Sequence, residues 1–411
     1  MTGLLLFAVA LGQTPPEWVA SRASDGHGLL QGQIEIYRPL TQAWTVLLPN
    51  TLYGRWHEPV THHTDNAILI TGQVDRVGQS TVTTVLGVAP SGGSAPIAVF
   101  SQSGSQVLES ILLDEDGAFA CAVRDFGPNP PLLHRVDLAG GVTTLIPAVS
   151  GLTGECALVD RESGDYLVAS WNGVTSTVHR FARRGGGVSV LASMPGRVVG
   201  MDHDPVRGHW VLVRLNQDVI AVNPAGQITT LNASLGYPTC LRVDPWTGDI
   251  VVGSLMGSLH FLTSLGNPVA TTTADQRGVR GIEQLGSRRV SASGPATPGS
   301  TVSVKLSFPR APGQPYVAAL STGLRPGISL GDGRVLSLDW TSPLFAISVG
   351  GIPGVTTGFA GTLDGAGRAN ATVLVLPGVP AGTRLFVSAV ALGPALPLGL
   401  ELGNTWGFTT N

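Results

Sequence analysis

Leu241-Arg242-Val243-Asp244-Pro245-Trp246-Thr247-Gly248-Asp249-Ile250-Val251-Val252 is the stretch on which the fold turns. It reads as a short apolar strand, a turn opened by Asp and relieved by Gly, and a second apolar strand. The phrase returns as Ile111-Leu112-Leu113-Asp114-Glu115-Asp116-Gly117-Ala118-Phe119. It returns again over residues 157–168 and 201–210, with fainter copies around 65–69 and 286–290. A second phrase follows at a fixed lag: a strand, a Gly turn and a Thr/Val-rich strand, as in residues 134–145 and 221–231. Each unit therefore holds four short strands and three turns.

Aligning the residue that opens the first strand of each unit gives Glu58, Glu109, Glu155, Val199, Thr239 and Arg280. Four strands in units of roughly 40–50 residues describe a propeller blade. The sixth unit offers two strands after Arg280 before the composition changes near Pro295. The chain also begins with a hairpin, residues 33–37 and 43–48, that belongs to no unit. Joining these pieces leaves no blade with an open edge, the usual aggregation hazard of a sheet. The expectation is an all-β chain: a six-bladed β-propeller over 25–293, its last blade closed by the N-terminal hairpin, a linker at 294–300 and a β-sandwich over 301–411. The strands expected in the last part are 301–306, 316–320, 344–349, 371–376 and 385–390.

Composition supports short strands and many turns. The chain has 411 residues with 55 Gly and 29 Pro, while 43% are hydrophobic and 12% charged. A typical domain is roughly 25% charged. The net charge is −3, with a single lysine, Lys305, and scattered arginines. No cation cluster suited to a phosphate backbone is visible, so nucleic acid is not an expected partner. Leu4-Leu5-Leu6-Phe7-Ala8-Val9-Ala10-Leu11 has the length of a signal-peptide core and is too short to span a bilayer. Residues 1–12 are therefore expected to be a signal peptide, placing the protein in the periplasm, at the cell surface or outside the cell, with no membrane span. Cys121, Cys156 and Cys240 sit in apolar runs without a CxxC pair and read as small buried hydrophobes.

The repeat resembles the NHL-repeat and gluconolactonase-like propellers, over about residues 55–293 and most closely at 243–252. That resemblance implies a scaffold and no particular reaction. Residues 361–369 and 404–409 resemble a C-terminal sandwich appended to many exported bacterial proteins, which implies an accessory role at the surface.

No GxSxG elbow, P-loop, HExxH or GxGxxG fingerprint is present. The sharpest candidate site is the aligned position itself. Glu58, Glu109 and Glu155 would share one mouth of the central channel, with Arg280 across from them. Such carboxylates repel one another unless a cation or a cationic ligand group intervenes. Glu109 and Glu155 are the metal candidates, for a divalent cation such as calcium, and His57 and His62 lie close in sequence. The bland alternative is that these glutamates cap backbone N–H groups or face water. His62-His63-Thr64-Asp65 is metal-like in composition, but adjacent residues of a strand face opposite ways. In Asp202-His203-Asp204 the second Asp aligns with turn residues Asp160 and Asp244, so a turn role outranks acid–base work. Asp364-Gly365-Ala366-Gly367 reads as an ordinary turn and not a calcium loop. Trp44, Trp56, Trp171, Trp210 and Trp246 read as fillers between blades before sugar platforms.

The sequence thus points to an exported, non-catalytic binding or structural protein with an unidentified extracellular ligand, polysaccharide or protein, and no required cofactor. The alternative is a metal-dependent lactonase or esterase on the same propeller, with Glu58, Glu109 or Glu155 holding a cation that activates water. That alternative lacks the Asn and Asp partners such a site needs.

Overall fold

Runs of four to eight Val-, Leu-, Ile- and Thr-rich residues form the strands of the repeat region. A computed structural model describes residues 16–23, 33–48, 55–61, 68–74, 82–88, 94–101, 106–113, 119–125, 133–136, 142–146, 154–183, 187–215, 218–272, 278–284 and 289–411. The expected signal peptide, 1–12, lies outside the described residues.

Six four-stranded antiparallel sheets, here numbered I to VI, follow one another. Their first strands are Arg55–Thr61, Gln106–Leu113, Gly154–Val159, Val198–Asp204, Pro238–Val243 and Gly278–Gln284. Each of these contacts the next, and Gly278–Gln284 contacts Arg55–Thr61, so the first strands form a closed inner ring. Closure differs from expectation in its split. Sheet VI takes one strand from the end of the repeat and three from the chain start, in the order Gly278–Gln284, Trp18–Ala23, Gln33–Arg38, Ala43–Leu48. Trp18–Ala23 was not anticipated, yet Trp18, Val19 and Ala20 are fully buried in it. Val290–Ser293, expected as the second strand of unit six, pairs instead with Thr301–Ser307.

The sheets pack through apolar faces. Leu158, Leu167 and Val178 of sheet III meet Met201, Trp210 and Leu212 of sheet IV. Val211 and Val213 of sheet IV meet Leu241, Val243 and Val252 of sheet V. Each such side chain contributes roughly 1.5–3 kcal/mol on burial. Backbones crowd near the axis: a Cβ on Gly200 would stand 3.3 Å from the Cys240 Cα. Cys156 and Cys240 are both buried, at 2% exposed; the Cys121 side chain lies outside the described residues. The outer strands of sheets III and IV are each approached by a turn of the next sheet. A Cβ on Gly226, in sheet IV, would come within 2.5 Å of the Leu191 carbonyl oxygen, on the outer strand of sheet III. Gly266 of sheet V stands in the same relation to Leu231 of sheet IV.

The repeated turn explains why its sequence recurs. In Asp160, Asp204 and Asp244 a carboxylate oxygen accepts the N–H two residues on. The N–H of Gly164, Gly208 and Gly248 closes onto the carbonyl of that Asp. Each Gly has φ between 67° and 79°, which favours glycine.

After the ring, two antiparallel sheets share one apolar core that includes Val304, Leu306, Phe308, Phe359, Val387 and Trp406. One difference is local. Residues 344–349, expected as a strand, lie mostly within the short helix Pro343–Ser348. A short apolar run does not distinguish strand from helix, and proline in the first turn favours the latter. Asp364 caps its own turn by accepting the N–H groups of Ala366 and Arg368.

Candidate functional site

The aligned position of the repeat is a β-bulge in every inner strand. Gly154 pairs with Ser170 and Cys156 with Ala169, so Glu155 has no partner across the strand. The pairing skips Glu109 between Leu108 and Ser110, Val199 between Val198 and Gly200, and Thr239 between Pro238 and Cys240. In sheet VI it skips Arg280, and in sheet I it skips His57 and Glu58 together. A bulge adds a residue, sharpens the twist and re-aims the side chain it carries. The sequence alignment had found the position without its cause.

The side chains of Glu58, Glu109 and Arg280 lie outside the described residues, as do His62 and His63. Glu155 is 5% exposed. Arg197, which leads into the inner strand of sheet IV, directs Nε and Nη2 at its Oε2 at 2.8 and 2.5 Å. Thr239 places its hydroxyl between the carbonyl oxygens of Gly253 and of Val279, the latter on sheet VI. Both described polar bulge residues therefore reach the neighbouring sheet. Three positions further along the strand a second row does the same. Asp202 accepts the Val243 N–H at 2.9 Å, and Arg242 donates to Glu283 at 2.8 Å. Polar side chains near the axis thus staple sheets III to VI to one another.

The inner strands start near the bulges and end at the Asp turns, about 16 Å away for five residues of strand. The turn end carries the C-terminal module. Trp246 leaves the ring to pack beside Leu324, Leu336, Leu338 and Leu402, and its indole N–H donates to the Gly403 carbonyl at 3.2 Å. The Val335 N–H donates to the Trp246 carbonyl at 2.8 Å. Arg325 spans two turns, donating to the Arg207 carbonyl at 2.9 Å and pairing with Glu162 at 2.6 Å. Arg384 donates to the carbonyls of Arg161 and Glu162. A cavity of about 10 Å³, room for one water, lies between Arg161, Pro205, Trp246, Ser337 and Asn404. The turns of sheets III, IV and V are thus the platform on which the module sits. Nothing in the repeat marked them for that task except Trp246, the one large aromatic in the turn.

The other sequence candidates are placed as follows. Asp204 serves its turn, as the alignment implied, and burial raises its carboxyl above the ordinary value. Asp244 is raised by burial too, against the N–H groups of Trp246 and Thr247 that it accepts. Trp210 lies in the core shared by sheets III and IV. Trp44 lies against Tyr37, 4.9 Å between ring centres, with the Arg22 guanidinium 3.8 Å above it. Among the described residues no helix is long and apolar enough to cross a membrane.

The sequence matches no protein-family model and no curated protein. Solved structures do resemble it. One, from a nidogen/laminin complex, aligns with a TM-score of 0.51 at 14% identity over 66% of this chain and 98% of that one. TolB from Acinetobacter baumannii aligns with a TM-score of 0.51 at 14% identity, over 66% of this chain and 67% of its own. A gluconolactonase from Xanthomonas campestris aligns with a TM-score of 0.45 at 14% identity, over 69% and 91%. At this identity the likeness speaks for architecture alone, and the architecture it shows is the β-propeller.

Proposed function

We propose that this chain is an exported binding protein of the NHL-like propeller kind, whose ligand face is the bulge end of the ring around Glu58, Glu109, Glu155 and Arg280. The observation that carries this reading is the division of the two ends. The C-terminal module occupies the turn end through Trp246, Arg325 and Arg384. The mouth left for a ligand is the opposite one, where the pairing of each inner strand is interrupted at the aligned position. Propellers bind across such mouths because every blade contributes a side chain at one level. The engagement of Glu155 by Arg197 favours binding over metal-assisted hydrolysis, because a carboxylate held by a guanidinium is less free to ligate a cation. The apolar run at residues 4–11 supports a site of action outside the cytoplasm.

Calcium analysis of the purified chain and its retention on insoluble cell-wall polysaccharide test the proposal together. Binding to the polysaccharide that falls at least tenfold in Glu109→Ala or Arg280→Ala, without dependence on calcium, is expected. Stoichiometric calcium lost in a Glu109→Ala, Glu155→Ala double variant, together with turnover of a simple lactone, would overturn it in favour of a hydrolase. Retention unaffected by either substitution would remove the bulge end as the ligand face.

A further inference from the structure

His203 places an imidazole where the two flanking sheets, III and V, carry valine. It lies four residues after the bulge, where sheets II, III and V carry Leu113, Val159 and Val243, sheet VI carries Gln284 and the aligned residue of the first unit is His62. Valine satisfies the fold there in both flanking sheets, III and V, so the packing of this part of the ring does not call for imidazole. His203 is 2% exposed, and among the described residues neither of its ring nitrogens has a hydrogen-bond partner. Across the strand it faces Trp210, 6.4 Å between ring centres, whose indole N–H is also buried without an acceptor.

The charges around it come from every side of the junction between ring and module. Asp160 and Arg161 belong to the turn of sheet III, His209 to the second strand of sheet IV, and Arg325 to the C-terminal module. Arg180, on the third strand of sheet III, lies 5.2 Å over the Trp210 ring and pairs with Asp160 at 3.4 Å. Of the carboxylates on these elements, Asp202 accepts the N–H groups of His203 and Val243, Asp204 holds its own turn and Arg207, Glu162 pairs with Arg325, and Asp160 is the one that acts on the imidazole. It is already committed to the Glu162 N–H, the Ser163 hydroxyl and Arg180. Arg325 is the strap that crosses to the ring, and its guanidinium sits where a Cβ on Gly208 would be, 2.2 Å from Cζ.

We propose that His203 is a proton sensor for the grip between the propeller and its C-terminal module: neutral, it allows Arg325 to stay clamped over the turns of sheets III and IV, and protonated, it drives that clamp open. A new cation beside Arg161 and Arg325 has no free carboxylate to meet it, so relief comes by letting water in. The element that yields is the junction, which is held by a few hydrogen bonds, and not the ring, which is closed by six sheets. Burial is the main cause that pushes His203 down from 6.5 to about 3; Asp160 opposes this, while Arg161, Arg325 and His209 add to it. An exposed imidazole takes its proton near 6.5. The open form therefore binds more protons than the closed form between those two values. The closed form holds its full advantage above about 6.5 and loses up to tenfold for each pH unit below it.

Hydrogen exchange on the full chain reads this directly, because the Val335 amide is bonded to the Trp246 carbonyl across the junction. The Leu212 amide, in the second strand of sheet IV, reports on the ring. Between pH 6.5 and 4.5, after correction for intrinsic exchange, Val335 is expected to lose up to about a hundredfold in protection while Leu212 keeps its own. His203→Val, which restores the residue of the neighbouring repeats, is expected to hold Val335 at its neutral-pH protection throughout. Trp246→Ala gives the open reference. An equal loss in His203→Val, or loss at Leu212 in step with Val335, would overturn the proposal. Imidazole proton resonances of the wild-type chain provide a test that needs no variant. A His203 signal that titrates near 6.5 while Val335 stays protected also overturns it.

Discussion

Arg197→Ala tests whether Glu155 is a staple between sheets or a ligand held in reserve. The Glu155 side chain is 2% exposed and that of Arg197 25%. Breaking a fully buried pair by removing one partner costs roughly 3–5 kcal/mol, because the remaining charge loses its compensation. A fully exposed pair is worth about 0–1 kcal/mol. Water reaches the arginine but not the carboxylate, so the loss should fall between these limits, at about 2 kcal/mol, a factor of about 30 in the folded-to-unfolded ratio. Urea unfolding at pH 7 measures it from the midpoint and slope. Glu155→Gln in the same chain removes the buried carboxylate's charge and should recover at least half of the loss, which makes the effect a coupling and not two separate costs. A loss below about 0.5 kcal/mol for Arg197→Ala, or no recovery in the double variant, would refute the staple.

Gly266→Ala should lower stability by more than about 2 kcal/mol, since Gly266 has φ of 84° and an added Cβ would lie 2.4 Å from the Leu231 carbonyl oxygen; an unchanged melting temperature would show that the turn does not cover the neighbouring edge. Asp249 is raised by burial and by the charge of Asp244 beside it. The folded turn then holds a proton that the unfolded chain releases, so this group's contribution is full below the ordinary aspartate value and declines as pH rises through the folded one. Asp249→Asn keeps an acceptor for the Ser264 N–H and should remove that slope, seen as flatter urea midpoints between pH 4 and 7. Identical profiles for the two chains would count against it.

Much of the ring was legible because each unit must repeat the same local solutions. The Asp that opens each turn and the Gly that closes it recur because one carboxylate and one positive φ are needed at each hairpin. The bulge row was found as an alignment, although no sequence rule says that Glu155, Val199 and Thr239 leave the ladder. What stayed hidden depends on distant partners. Trp18–Ala23 carries Ser21 and Arg22 in its middle and does not look like a buried strand, yet it lies between two others. Arg22 is 1% exposed there because Glu35 stands 2.8 Å away on the next strand. Arg197 gave no sign of its tie to Glu155, 42 residues earlier. Residues 344–349 failed for a local reason, since a short, mostly apolar run suits either kind of element.

The order of strands in sheet VI has a consequence for how the molecule is made. Trp18 pairs with Gln284, so the strand Trp18–Ala23 waits for a segment more than 250 residues later before its sheet is complete. Closing so long a loop costs about 3 kcal/mol more entropy than closing one of ten residues. Until then Val19, Ile34, Ile36 and Tyr37 have no inner strand to shelter them. A nascent chain of this design is vulnerable at that early segment, and a route that keeps it unfolded until Gln284 has emerged would spare it premature association.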